Sequence, residues 1–252
     1  MPDPAACTKR REAARTRAAR ETSERAKRAK ATLDVIDKER AKRAQTSPKE
    51  IAESKAPRAS LTDPDARRMR CADGAVRAAY NVQFATTADC GFITAVAATN
   101  RRNDSGLARP MLEQTERRLG RQVARLLADT GYAATDDIAA LAARPDGPVT
   151  AYIWPPKDQD NVKPETLKAR EKLRAKEPGD VKEWRKRMAT EDAKMVMKRR
   201  GSIERVNAQT KNRGLGVMPV SGLIKVQAVA LLHALSHNLV TALRCRAAMR
   251  AA

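Results

Sequence analysis

The sequence predicts an α/β domain, a mixed sheet flanked by helices, preceded by a long basic helical arm. Two observations carry this. After Leu61 the chain alternates between period-two apolar runs and runs that repeat with the 3.6-residue period of a helix. From Thr8 to about Gln45 it is Lys, Arg, Glu and Ala, with almost no aliphatic residue ahead of Leu33, Val35 and Ile36. Ala and Arg favour helix, but a helix without an apolar stripe has nothing to bury. Residues 1–60 are therefore expected to be an exposed basic helix, Thr8 to about Gln45, and a polar linker, serving either as a solvated spacer or as a DNA-binding arm.

The remaining elements follow in order over residues 61–252. TDPDAR (Thr62 to Arg67) reads as a turn into the domain. Tyr80, Val82 and Phe84 alternate with Asn81 and Gln83, which marks a strand with an apolar and a polar face; Phe92 to Ala98 makes a second, with Gly91 near the tip of the hairpin. Asn100 to Gly106 is a polar turn. A helix from Ala108 to Leu119 places Met111, Leu112, Thr115 and Leu119 on one side. Val123 to Ala128 is a short strand, a helix starts near Thr135 with Asp136 and Asp137 in its first turn, and Val149 to Trp154 is the last strand. The charged stretch of about 155–189, which includes Trp184, breaks this rhythm and is expected to be an insertion outside the core. Helix resumes near Thr190, with Gly201-Ser202 as a kink or Ser202 as the cap of a new helix. The final helix, Leu223 to about Arg246, is apolar around most of its circumference and is expected to be buried against the sheet or a partner.

A formal net charge of +21 over 252 residues points to a polyanionic partner. With two Trp, three Tyr and two Phe the chain has few stacking surfaces for single strands, so duplex contact through phosphates is favoured. Cys7, Cys71, Cys90 and Cys245 have no zinc-site spacing and suggest no disulfide framework. The N-terminal residues lack the apolar run of a signal peptide, and Val226 to Leu243 is interrupted by His233, Ser236, His237 and Asn238; no membrane partner and a cytoplasmic, nucleoid-associated location are expected. His233 and His237 are read as core or interface histidines rather than as metal ligands.

Chemistry is concentrated in MKRRGSIERVNAQTK, Met197 to Lys211. Arg200, Glu204 and Lys211 stand four and seven residues apart, on one face of a helix, so that one carboxylate lies between two cations. Asp129 ends a short apolar strand, where side chains of open α/β sheets face the ligand crevice. A strand-end aspartate paired with a helix-borne glutamate is the kind of set that holds divalent metal for phosphoryl chemistry.

The spacing Arg200-x3-Glu204-x6-Lys211 resembles the Y-x2-R-x3-E-x6-K signature of bacterial insertion-sequence DDE transposases, whose catalytic domain is RNase H-like. TDPDARRM (Thr62 to Met69), YNVQFAT (Tyr80 to Thr86), TNRRNDSG (Thr99 to Gly106), ADTGY (Ala128 to Tyr132) and VNAQTKNRGL (Val206 to Leu215) share the likeness, which spans roughly Leu61 to Leu239. The resemblance implies a partial RNase H-like domain at 61–252 and assigns Asp129 and Glu204 as catalytic residues and ligands of Mg2+ or Mn2+. It also implies contact with DNA phosphate by Arg200 and Lys211, with Lys198, Arg199 and Arg213 beside them.

Met197 occupies the signature tyrosine position, and the family's first catalytic aspartate has no match. Asp73 and Asp89 read as turn residues, and Asp104 as a turn residue rather than a ligand. The sheet is accordingly expected to be incomplete, lacking its central strand, and the chain to be the carboxyl-terminal portion of a transposase. Such a chain would act on transposon ends and target DNA as a homo-oligomer, but would bind DNA without cutting and joining. The alternatives are a non-catalytic basic DNA-binding protein and a structure-specific nuclease.

Overall fold

The computed structural model describes residues 4–46, 51–52, 56–71, 73–157 and 164–251. They form two compact units. The first is Met1–Asn81, Ala98–Arg102 and Met218–Val226; the second is Val82–Ala97, Asn103–Val217 and Gln227–Ala252.

In the first unit, α1 (Pro4–Thr46) is the expected long helix, but it is not exposed all round. Ala29 and Ile36, seven residues apart, are buried. Between them Thr32 donates to the Pro64 carbonyl at 2.9 Å and accepts from Arg67 at its own carbonyl at 3.2 Å, while Arg28 pairs with Asp65 at 2.6 Å. Small alanines let another segment approach closely without forming a stripe of large apolar residues, which is why composition hides this face. The TDPDAR turn also does more than enter the domain. Asp63 accepts from the Gly222 amide and Asp65 from the Leu223 amide, each at 3.2 Å, so the two carboxylates sit at the N-terminus of the last helix, α8 (Leu223–Ala251), where the dipole favours negative charge. Strands β1 (Arg67–Arg70) and β2 (Val76–Ala79) pair antiparallel around Gly74 at φ 80°, a hairpin the sequence reading did not anticipate.

The second unit carries the α/β part. β3 (Asn81–Thr86) and β4 (Ile93–Thr99) form the predicted hairpin, with Gly91 at φ 72° in its turn. After α2 (Ala108–Leu119), β5 (Arg125–Ala128) and β6 (Thr150–Ile153) pair in parallel across α3 (Thr135–Ala142). The strands do not make the one mixed sheet expected. Among the described residues they form three separate pairs, β1–β2, β3–β4 and β5–β6, because no described strand bridges the hairpin and the parallel pair.

Side chains from helices do what further strands would do. Asn238 of α8 bonds both the amide and the carbonyl of Ile93 at 2.8 Å. Gln114 accepts from the Val96 amide at 2.5 Å, Gln227 donates to the Val96 carbonyl at 3.2 Å, and Arg118 donates to the Thr94 carbonyl at 3.0 Å.

After α4 (Pro164–Ala175) comes α5 (Gly179–Met188), which corrects the reading of the charged stretch as lying outside the core. Val181, Trp184 and Met188 recur at three and four residues and are buried with Leu112, Ile138, Leu141, Val149 and Ile153; Trp184 is 0% exposed. Its indole N–H donates to the Ile153 carbonyl and Arg187 to the Ala151 carbonyl, both at 3.1 Å, so α5 also covers the outer edge of β6. Lys182 and Lys186 face solvent, and the charges around the three apolar residues mask the stripe.

α8 is buried along Val226, Ala230, His233, Ala234 and His237, whereas Leu232, Leu235, Leu239 and Leu243 are exposed, so burial covers one side rather than the circumference. By length and composition alone α8 could cross a membrane; its Gln227, His233, His237 and Asn238 all hydrogen-bond within the protein.

Two outcomes follow. Trp184→Ala removes the largest fully buried side chain and should cost ~3–5 kcal/mol in urea denaturation. Burial alone would raise the Glu116 carboxyl, but the Arg144 guanidinium and the Val123 amide outweigh it and hold it below the usual glutamate range. A depressed carboxyl stabilises above its unfolded value and loses that contribution as pH falls. Thermal melts should therefore show wild type losing its advantage over Glu116→Gln as pH drops through about 4.3 and below.

Candidate active site

Asp129 follows β5 in extended conformation, φ −73° and ψ 163°, and its carbonyl accepts the Tyr132 amide at 3.0 Å, closing a 3-10 turn over Thr130–Tyr132. Glu204 lies in the first turn of α7 (Gly201–Thr210). The preceding helix, α6 (Glu191–Lys198), is capped by Thr190, whose hydroxyl accepts from the Ala193 amide at 3.2 Å. Between α6 and α7 the backbone stays helical at Arg199 and Arg200, with tighter bonds from Ser202 to Arg199 and from Ile203 to Arg200. Arg200 occupies the N-cap without a side-chain cap bond, so Ser202 is not the cap.

This arrangement aims Arg200 at both carboxylates. One guanidinium nitrogen pairs with Asp129 and the other with Glu204 at 2.6 Å. The Arg200 side chain is 23% exposed, Asp129 61% and Glu204 64%; at such exposure each pair contributes ~0–1 kcal/mol, so the fork fixes geometry more than stability. The sequence placed Arg200 beside Glu204 on a helical face. It did not reveal that the same arginine reaches Asp129.

A polar network beside Asp129 also escaped the sequence reading. Gln83, expected on the exposed face of its strand, is 4% exposed. Its amide donates to Asp104 at 2.6 Å and accepts from the Tyr132 hydroxyl. Burial, then the charges of Asp104 and Asp129, push the Tyr132 phenol up, so it stays a neutral donor. Gly131 permits the packing, since a Cβ there would lie 2.9 Å from an Asp104 oxygen. The signal available was the joint presence of YNVQFAT, TNRRNDSG and ADTGY, whose Gln83, Asp104 and Tyr132 meet here.

The cations are differently engaged. Arg199 pairs with Asp89 in the hairpin turn, and the Lys198 ammonium lies 3.4 Å from the Met195 sulfur. Lys211, Arg213 and Arg205 are exposed; Lys211 opens a π turn, Lys211–Leu215, in which Arg213 and Gly214 leave helical dihedrals. Met197, at the signature tyrosine position, is buried in the core with Trp184 and Ala193. His233 donates to the Thr210 hydroxyl at 3.0 Å, because that hydroxyl spends its proton on the Val206 carbonyl, and His237 donates to the Gly91 carbonyl at 2.9 Å. Both histidines are thus committed inside the fold.

A family model described as the transposase DDE domain matches residues 35–239. The chain belongs to the transposase DDE domain family. No curated protein and no solved structure matches it. Members of this transposase family generally use divalent metal ions. In this transposase domain the residues as placed do not make such a site. Asp129 and Glu204 already share the Arg200 guanidinium, and among the described residues no group of three His, Cys, Asp or Glu is placed to hold an ion.

Burial separates the two sets of contacts energetically. Gln83→Leu, which removes the buried partner of the half-buried Tyr132 and Asp104, should cost ~1–3 kcal/mol. Arg200→Ala should change stability by less than about 1 kcal/mol in the same denaturation experiment.

Proposed function

We propose that this chain acts in DNA transposition, binding double-stranded DNA through the cationic surface around α7. In this reading Asp129 and Glu204 are two carboxylates of an RNase H-like site for metal-dependent strand cleavage and strand transfer, a site the chain by itself does not complete. The observation that carries it is the convergence of Asp129, from the end of β5, and Glu204, from the start of α7, on Arg200, inside the span matched by the family model. Lys198, Arg199, Lys211 and Arg213 flank Arg200 and Glu204 in sequence, and a net charge of +21 suits a phosphate partner. The chain works on transposon ends and target DNA as a homo-oligomer, in the cytoplasm and at the nucleoid. Exposed leucines along α8 support self-association.

With two carboxylates gathered on Arg200 among the described residues, the chain by itself binds DNA without cutting and joining it. The test incubates purified chain with plasmid or end-containing DNA and Mg2+ or Mn2+. Binding without cleavage is the expected result, with affinity falling as salt rises and a shallower salt slope in Lys211→Glu/Arg213→Glu. Metal-dependent cleavage abolished by Asp129→Asn or Glu204→Gln would contradict the two-carboxylate reading. Binding unchanged in slope by the charge reversals would contradict the DNA surface.

A further inference from the structure

We infer that one face of the amino half of α1 is a second DNA-contact surface, a stripe of Lys9, Arg10, Arg17, Arg20 and Lys27 that holds duplex phosphates independently of the surface around α7. The docked part of α1 is Arg28 to Arg40. Arg28 pairs with Asp65, Ala29 and Ile36 are buried, and Thr32 and Arg40 each donate at 2.9 Å, to the Pro64 and Ile51 carbonyls. From Thr8 to Lys27, by contrast, every residue is exposed except the half-buried Arg25. The docked turns supply the nucleus that a short helix otherwise lacks, so the exposed turns stay helical on the propensity of Ala, Arg, Lys and Glu. They extend about 29 Å along the axis.

This exposed part carries eight Lys and Arg against three Glu, and they are not evenly spread. At about 100° per residue, Lys9, Arg10, Arg17, Arg20 and Lys27 fall within an arc of about 100°. One acid shares that arc, Glu24, at its far end and 3.5 Å from Lys27. Glu12 and Glu21 lie outside it, with Arg11, Arg15 and Arg25. The chemistry of the stripe selects its partner. Between Thr8 and Lys27 the only apolar residues are alanines. Without an aromatic ring the helix has nothing to stack on unpaired bases, and without a large apolar side chain it has nothing to seat in a lipid interface. A row of cations on a stiff helix suits a duplex, which presents one negative charge per about 1.7 Å of its axis. Phosphate contacts carry no base information, so this face adds hold on DNA of any sequence.

The test measures duplex affinity of the full chain against salt concentration in two variants of equal net charge. Arg10→Gln/Arg17→Gln/Arg20→Gln removes three cations from the stripe, and Arg11→Gln/Arg15→Gln/Arg25→Gln removes three from outside it; glutamine nearly matches arginine in helix propensity. The slope of log affinity against log salt should become shallower by about two to three in the first variant and change little in the second, for duplexes of unrelated sequence alike. Equal changes in both variants, the mark of diffuse attraction by net charge, or no change in the first would overturn the proposal. Both variants keep Lys211 and Arg213, and charge reversal at those two keeps the stripe, so failure of either surface is read apart from the other. In wild type, bound duplex should also protect Lys9 from acetylation. A Lys9 that is acetylated equally with and without DNA would overturn the proposal even if a variant fails to fold.

Discussion

A single guanidinium joins the end of β5 to the start of α7, and the character of the candidate site depends on it. Arg200 can reach both carboxylates because the chain keeps helical dihedrals through Arg199 and Arg200 while α6 gives way to α7. Its planar fork suits two carboxylates at once, where a lysine would offer a point charge. The same geometry keeps Asp129 and Glu204 close without leaving their shared space open to another cation. The position is built from behind by core packing, since Met197 and Ala193 of α6 are buried with Trp184 and the residues of β6.

Short strand pairs shape the rest of the second unit. A two-stranded pair leaves backbone donors and acceptors that water or other strands would otherwise take. Here Asn238, Gln227, Gln114 and Arg118 serve β4, while Trp184 and Arg187 serve β6. The helices therefore contribute apolar burial and strand-edge hydrogen bonding together. That dual role explains how α5 can be rich in Lys and Arg yet belong to the core.

Much of this was legible in the residues. Alternation around Val82 and Phe84 located the hairpin, the short run ending at Asp129 located β5, and four-residue spacing put Arg200 against Glu204. The rest was hidden for identifiable reasons. Arg200 and Asp129 meet through tertiary packing, which has no local period. Gln83 looked solvent-facing because strand alternation assumes one wet face, whereas its face is closed by Asp104 and Tyr132. Three apolar residues of α5 were outnumbered by the charges around them. The capping of α8 by Asp63 and Asp65 joins residues 159 and 158 apart, beyond any capping rule read within one segment.

The most direct measurement is a Mn2+ titration of the full chain followed by the electron paramagnetic resonance of free Mn2+, comparing wild type with Arg200→Ala. If Arg200 occupies the space between the carboxylates, wild type should bind Mn2+ weakly. Arg200→Ala should bind it several-fold more tightly, and Asp129→Asn in that background should abolish the gain. A wild-type Mn2+ site that is already tight and unaffected by Arg200→Ala would contradict the account.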